Sequence, residues 1–236
     1  MTAASKIGGD VDILVGGAGC GAVAEQAAKV AGVRKVFCAD APVFGKPVAE
    51  DMEKLILQVQ AANSYSHILA PASASAKSAL PRVAAKLDVN QMSDVLGVES
   101  EDTFVRPIYA GNALATVKSA DSVKVLTIRP TAFDKAEASG GSGAVEAVSC
   151  DGAGLSTWKS EQLSKSDRPD LASAGTVIAG GRGLKSGDNF KLVYDLAGAC
   201  ARCLPRSQLL PACAAARYAH PCCVCMHVCM YVCTQV

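Results

Sequence analysis

Gly175-Thr-Val-Ile-Ala-Gly-Gly-Arg-Gly-Leu-Lys-Ser-Gly-Asp-Asn-Phe-Lys-Leu-Val-Tyr-Asp-Leu-Ala-Gly198 is the stretch around which the chain is organised. A β-branched run at residues 176–179 meets the glycine cluster Gly180, Gly181 and Gly183. After Gly187 the apolar residues Phe190, Leu192, Val193 and Leu196 recur at helical spacing. The segment therefore reads as strand, tight loop and helix. Backbone amides at a glycine-rich helix entrance face anions, and Arg182 adds a fixed positive fork that suits a pyrophosphate. Gly181, Arg182 and Gly183 are the candidate cofactor-binding residues.

The neighbouring motifs extend the pattern. Lys165-Ser-Asp-Arg-Pro-Asp170 precedes the loop, and Leu80-Pro-Arg-Val-Ala-Ala-Lys-Leu87, Asp102-Thr-Phe-Val-Arg106 and Ile108-Tyr-Ala-Gly-Asn-Ala-Leu114 lie upstream. In this order they resemble the alpha subunit of electron transfer flavoprotein, over about residues 1–198. The resemblance implies an FAD held jointly with a beta subunit. It also implies electrons accepted from acyl-CoA dehydrogenases in fatty-acid β-oxidation and passed to a membrane-bound electron transfer flavoprotein-ubiquinone oxidoreductase. The chain is then an electron carrier without substrate turnover of its own, in the mitochondrial matrix. Arg106, Tyr109 and Asn112 are expected either at the subunit interface or in a polar network that steadies a turn.

The implied fold class is α/β: a Rossmann-like, mostly parallel sheet with an antiparallel hairpin extension, followed by the first β-α unit of an FAD-binding domain. The expected division is residues 1–155 for the first domain, 156–174 for a linker, 175–198 for the start of the flavin domain, and 199–236 for an unrelated, disordered cysteine-rich tail.

Working outward, residues 1–9 read as the last turns of a helix stopped by glycine, and residues 11–15 as a strand. In the resembled family a first strand and a transit peptide precede this point, so an N-terminal truncation or a misplaced start is expected. Gly17-Ala-Gly-Cys-Gly-Ala22 then follows the strand, and Asp40 ends the next one. This is a dinucleotide fingerprint, with Gly17, Gly19 and Ala22 at the turn and Asp40 placed for a ribose. The competing explanation is a glycine-rich strand-to-helix turn that binds nothing.

Residues 47–63 match a helix with acids in its first turns, residues 67–70 a short strand, and the Ser/Ala loop 71–78 leads into a helix reaching Leu87, with Pro81 near its first turn. His67 is expected at the surface or as a cap. Residues 94–98, 104–110, 113–117 and 123–128 are four successive strand candidates with a hairpin signal at Gly111-Asn112, so they are read as an antiparallel extension. Residues 133–144 read as a flexible surface loop and 145–150 as a strand. Trp158 and Leu163 are expected to seat the linker, and Arg168 to pair locally with Asp167 or Asp170.

Composition bounds the remainder. Half of the 236 residues are hydrophobic and 19% are charged, enough to build a core, and the net charge of +1 offers no electrostatic footprint for nucleic acid. Of eleven cysteines only Cys20, Cys38 and Cys150 precede residue 200, which suits a reducing compartment. Residues 224–234 repeat with a period of about four and are all encodable by codons alternating purine with pyrimidine. They are read as read-through into an intron or a frameshifted segment, and the chain as inactive in flavin transfer. His220, Cys222, Cys223, Cys225, His227, Cys229 and Cys233 offer soft metal ligands, but not at the spacing of a zinc finger.

Overall fold

The computed structural model describes residues 1–46, 48–162, 177–203, 214–216 and 229–235. Leu163, Asp167, Arg168 and Asp170 lie outside them, as do His220, Cys222, Cys223, Cys225 and His227. Two compact units emerge, one of Met1–Lys159 with His227–Val236 and one of Ser160–Met226.

In the first unit the elements run α1 (Thr2–Ile7), β1 (Asp10–Gly17), α2 (Gly21–Ala28), β2 (Val33–Asp40), α3 (Ala49–Asn63), β3 (His67–Pro71) and α4 (Ala74–Leu87). They continue with β4 (Gln91–Val95), β5 (Gly97–Val98), β6 (Thr103–Ile108), β7 (Ala113–Lys118), β8 (Lys124–Ile128) and β9 (Ala144–Ala147). Gly8 ends α1 at φ 97°, a positive angle that glycine adopts without a Cβ clash. In β1 the odd residues Val11, Ile13 and Val15 pack under α1 and α2, and Leu14 packs under α3. That alternation, buried on both faces, is what a strand covered by helices requires.

The fold is α/β, with parallel sheets and a separate antiparallel three-stranded sheet. With β12 (Cys229–Gln235), seven strands form the main sheet in the order β4-β8-β3-β12-β1-β2-β9, and β5-β6-β7 form the antiparallel one. Strands β4 and β8 pair parallel with each other and β8 parallel with β3, so residues 94–95 and 124–128 belong to the main sheet instead of an antiparallel extension. Only the segment with the Gly111-Asn112 turn forms the meander. Local alternation marks a strand but cannot say which neighbour it will find.

Strand β12 (Cys229–Gln235) lies within the residues expected to be disordered. It runs antiparallel between β1 and β3, with Ile13 opposite Val232 and Leu69 also opposite Val232. The strand joins the two halves of the sheet.

Three further expectations are corrected. Pro81 sits inside α4, because Ala79, Leu80, Val83 and Ala84 are buried against the sheet and that burial outweighs the lost helical hydrogen bond. Ser73 starts the helix, its Oγ accepting from the Ala76 amide at 3.3 Å. Residues 141–143 are not a free loop: the Gly141 amide donates to Lys29 O at 2.8 Å and the Gly143 amide to Ala28 O at 3.0 Å, capping α2. A Cβ on Gly141 would lie 2.1 Å from Val30 O. His67 is 1% exposed rather than superficial.

In the second unit β10 (Val177–Ala179) pairs parallel with β11 (Ala214–Ala216), and α5 (Phe190–Cys203) follows the glycine loop, continuing beyond Gly198.

Candidate functional site

The loop expected to hold a cofactor is built from two short 3-10 turns between β10 and α5, Arg182–Leu184 and Gly187–Asn189. Leu184 N donates to Gly181 O at 3.0 Å, Asn189 Nδ2 donates to Leu184 O at 2.7 Å, and Ser186 Oγ accepts from the Asp188 amide at 3.2 Å. Its three leading glycines differ in what they answer to. A Cβ on Gly180 would lie 2.5 Å from Leu184 Cδ1 and 3.1 Å from Phe190 Cε1, so a side chain there would push Leu184 aside. Around Gly181 and Gly183 a Cβ would meet nothing within 4 Å.

A hollow of about 380 Å³ opens here, lined by Gly180, Gly181, Leu184, Lys185, Ser186 and Phe190 among others. That is near the lower end of the roughly 300–1,000 Å³ usual for small-molecule pockets. Gly181 and Lys185 both line the hollow, and open backbone at a glycine together with a cationic residue is the chemistry that suits a diphosphate. Asp188 stands in the 3-10 turn just before α5, where its negative charge disfavours an anion at that helix's start. Lys185, held at φ 60°, was not singled out in the sequence; its position directly after a G-x-G-x turn was the available signal.

The Gly17–Asp40 fingerprint takes a different form. Gly19 adopts φ 69°, and its amide donates to Asp40 Oδ1 at 2.7 Å. The carboxylate expected to reach a ribose is instead engaged by the loop itself, tying the end of β1 to the end of β2. Gly17 lies in β1, and Ala22 lies in the first turn of α2. The two sulfurs behind this loop, Cys20 Sγ and Cys38 Sγ, approach to 3.5 Å in the core.

An acid in the apolar run Val11-Asp12-Ile13 signals a buried partner, and the structure supplies two. Arg34 Nε donates to Asp12 Oδ1 at 2.9 Å, Arg34 Nη2 and Tyr65 Oη donate to Oδ2, and Arg34 Nη1 reaches Asp10. Burial pushes the Asp12 carboxyl up, but the bonds from Arg34 and Tyr65, the Arg34 charge and the Lys35 amide together hold it below its ordinary value. His67 Nε2 donates to Glu101 O at 2.6 Å while Nδ1 accepts from Ser66 Oγ at 2.8 Å. Burial is the main cause that lowers its pKa. Both groups are structural anchors.

At the meander tip, Tyr109 is 79% exposed and Tyr109, Ala110 and Gly111 all have left-handed φ. Arg106 turns inward, its Nη2 donating to Ser93 Oγ at 3.0 Å, and Asn112 N donates to Tyr109 O at 3.2 Å. The three interface candidates are thus divided between a polar network and a protruding tip. Trp158 is half-exposed, with Lys46 Nζ 5.2 Å from its ring centroid. Among the described residues no group of three metal-ligating side chains occurs, and no helix is long and apolar enough to cross a membrane.

Comparison with known proteins gives the relationship. Residues 1–152 match the family described as electron transfer flavoprotein domain. The chain is 52% identical over 198 residues to the electron transfer flavoprotein subunit alpha of Pseudomonas aeruginosa, covering 84% of this chain and 63% of that one. It is 51% identical over 199 residues to a probable mitochondrial subunit alpha of Caenorhabditis elegans, and 46% identical over 212 residues to that of Dictyostelium discoideum. Each of these alignments spans 84% of this chain and 60% of the relative. The chain therefore spans about three-fifths of the length of the curated relatives it matches. With a family match over more than half of its length and alpha subunits among its relatives, the chain belongs to the electron transfer flavoprotein family, as an alpha-subunit homologue.

Proposed function

We propose that this chain serves as the alpha subunit of an electron transfer flavoprotein, holding FAD jointly with a beta subunit. In this role it carries electrons from acyl-CoA dehydrogenases to a quinone oxidoreductase in the mitochondrial matrix. The observation that carries the proposal is the family match across the first unit, followed in sequence by a glycine loop with room for a diphosphate. Gly181 and Gly183 would admit the diphosphate to backbone amides, and Arg182 is assigned its charge. Bound flavin would supply reversible one- and two-electron chemistry. The chain's own residues would bind, orient and electrostatically tune it.

The test is to express the chain with a beta subunit of the same family. Co-purification and a flavin absorption band near one per heterodimer are expected, and Arg182→Ala should weaken flavin retention. A complex that never forms would overturn the proposal. The narrower second reading, a chain that engages the beta subunit without holding flavin, is favoured by the modest 380 Å³ hollow. A colourless but stable complex would select it. For the isolated chain, no flavin at near-unit stoichiometry is expected.

Dinucleotide binding at Gly17, Gly19 and Asp40 is disfavoured by the internal bond from Gly19 to Asp40. Titrating NAD is expected to leave the melting temperature unchanged, whereas a saturating ligand would raise it.

A further inference from the structure

Cys20 and Cys38 come from different elements and bury their sulfurs against each other. Cys20 stands at the start of α2, where its carbonyl accepts the Val23 and Ala24 amides at 3.0 Å each, and Cys38 lies in β2. Their side chains are in the core cluster of Ile13, Val15, Ala24 and Val36, with exposures of 1% and 8%. The sulfurs are 3.5 Å apart, and a disulfide needs about 2.0 Å. A shift of about 1.5 Å, shared between two side-chain rotations, closes the gap.

We propose that Cys20 and Cys38 are a dithiol-disulfide couple, oxidised by a hydroperoxide, whose closure locks the glycine turn between β1 and α2. The chemistry balances in two steps. One thiol sulfur attacks the peroxide O–O bond, giving a sulfenic acid and, for hydrogen peroxide, water. The second sulfur then displaces that hydroxyl as water, leaving the S–S bond and consuming both thiol protons.

Burial, with the Cys20 sulfur beside it, pushes the Cys38 thiol up to about 12, so in the closed turn Cys38 keeps its proton at neutral pH. Because both sulfurs are covered, oxidation requires the turn to open briefly, and closure of the bond then prevents that opening. The Gly19–Asp40 bond spans the same two strand ends, so oxidation would reinforce an existing tie.

Cys150 supplies an internal comparison. It is as buried as Cys38, at 8% exposure, but its Sγ faces the Asp151 carbonyl at 3.5 Å.

The test begins with the folded full chain. Accessible thiols are alkylated first, the chain is exposed to hydrogen peroxide, and it is then denatured, labelled with a second alkylating agent and digested with trypsin. The expected product joins the peptide of residues 7–29 to that of residues 36–54, with Cys150 recovered as an alkylated thiol. Cys38→Val should abolish the joined peptide. The linked chain should melt roughly 5–10 °C higher, as closure of a loop of this size predicts. Recovery of both Cys20 and Cys38 as alkylated thiols after peroxide would overturn the proposal. Equal cross-linking in chain denatured beforehand would overturn it too, because the native approach of the sulfurs would then be irrelevant. The wild-type readout stands whether or not the variant folds.

Discussion

Helices α3 and α5 both carry a helical apolar stripe, and the sheet unit and the glycine-loop unit treat them differently. In α3, Met52, Leu55, Ile56 and Val59 are all buried beneath the sheet with Leu14, Phe37 and Ile68. In α5, Val193 and Ala197 are buried, while Leu192 is 69% and Leu196 52% exposed. Apolar periodicity predicts the helix in both cases, but the stabilisation comes from what covers the stripe. The first unit holds its own core, whereas the second offers a loop and a helix with two large apolar side chains facing water.

The sharpest way to break this contrast is paired truncation. Leu55→Ala should lower stability by about 2–5 kcal/mol, and Leu192→Ala should change it by no more than about 0.5 kcal/mol, as read from denaturant midpoints. Equal losses would show that α5 packs as firmly as α3.

Asp12→Asn sharpens the account of the first unit, since it removes the charge that Arg34 and Tyr65 address. A loss of about 2 kcal/mol is expected, below the usual cost of breaking a buried pair because Arg34 is 39% exposed and retains Asp10. The wild-type carboxyl titrates below its ordinary value of 3.8, so its contribution is complete above that pH and declines as the pH falls through the lowered value. In the Asn variant, acid unfolding should lose that component.

Gly19→Ala should cost about 1–2 kcal/mol, because an L side chain at φ 69° is strained although no neighbour crowds it. A neutral result by thermal melting would mean that the turn relaxes.

The smallest effect concerns His67. Burial holds its pKa below the ordinary 6.5, so the unfolded chain takes up a proton that the folded one refuses. Stability should be flat above pH 6.5 and fall below it, and His67→Gln should flatten that fall. An unchanged pH profile in the variant would remove His67 as the cause.

Much of this architecture was legible in local chemistry. Gly8 stops α1, the acids Glu50 and Asp51 open α3, and Gly111-Asn112 marks the meander turn. What escaped was non-local. Nothing near residues 124–128 says that β8 will lie parallel between β3 and β4, and nothing in the run at residues 81–84 says that the sheet will hold a helix together through Pro81. His67 looked superficial because its partners, Ser66 Oγ and Glu101 O, include one from a distant loop. At the candidate site, the glycine pattern located the turn, but that Gly180 packs against Leu184 while Gly181 and Gly183 face open space became clear only from the fold.

Strand β12 has a consequence for how the protein is made. It is the bridge between β1 and β3, and it lies far along the chain from both. Until that segment docks, the half containing β1, β2 and β9 and the half containing β3, β8 and β4 lack their shared seam. Completing the sheet therefore waits on a pairing between segments distant in sequence, the kind of contact that slows folding and prolongs the interval in which a chaperone is useful.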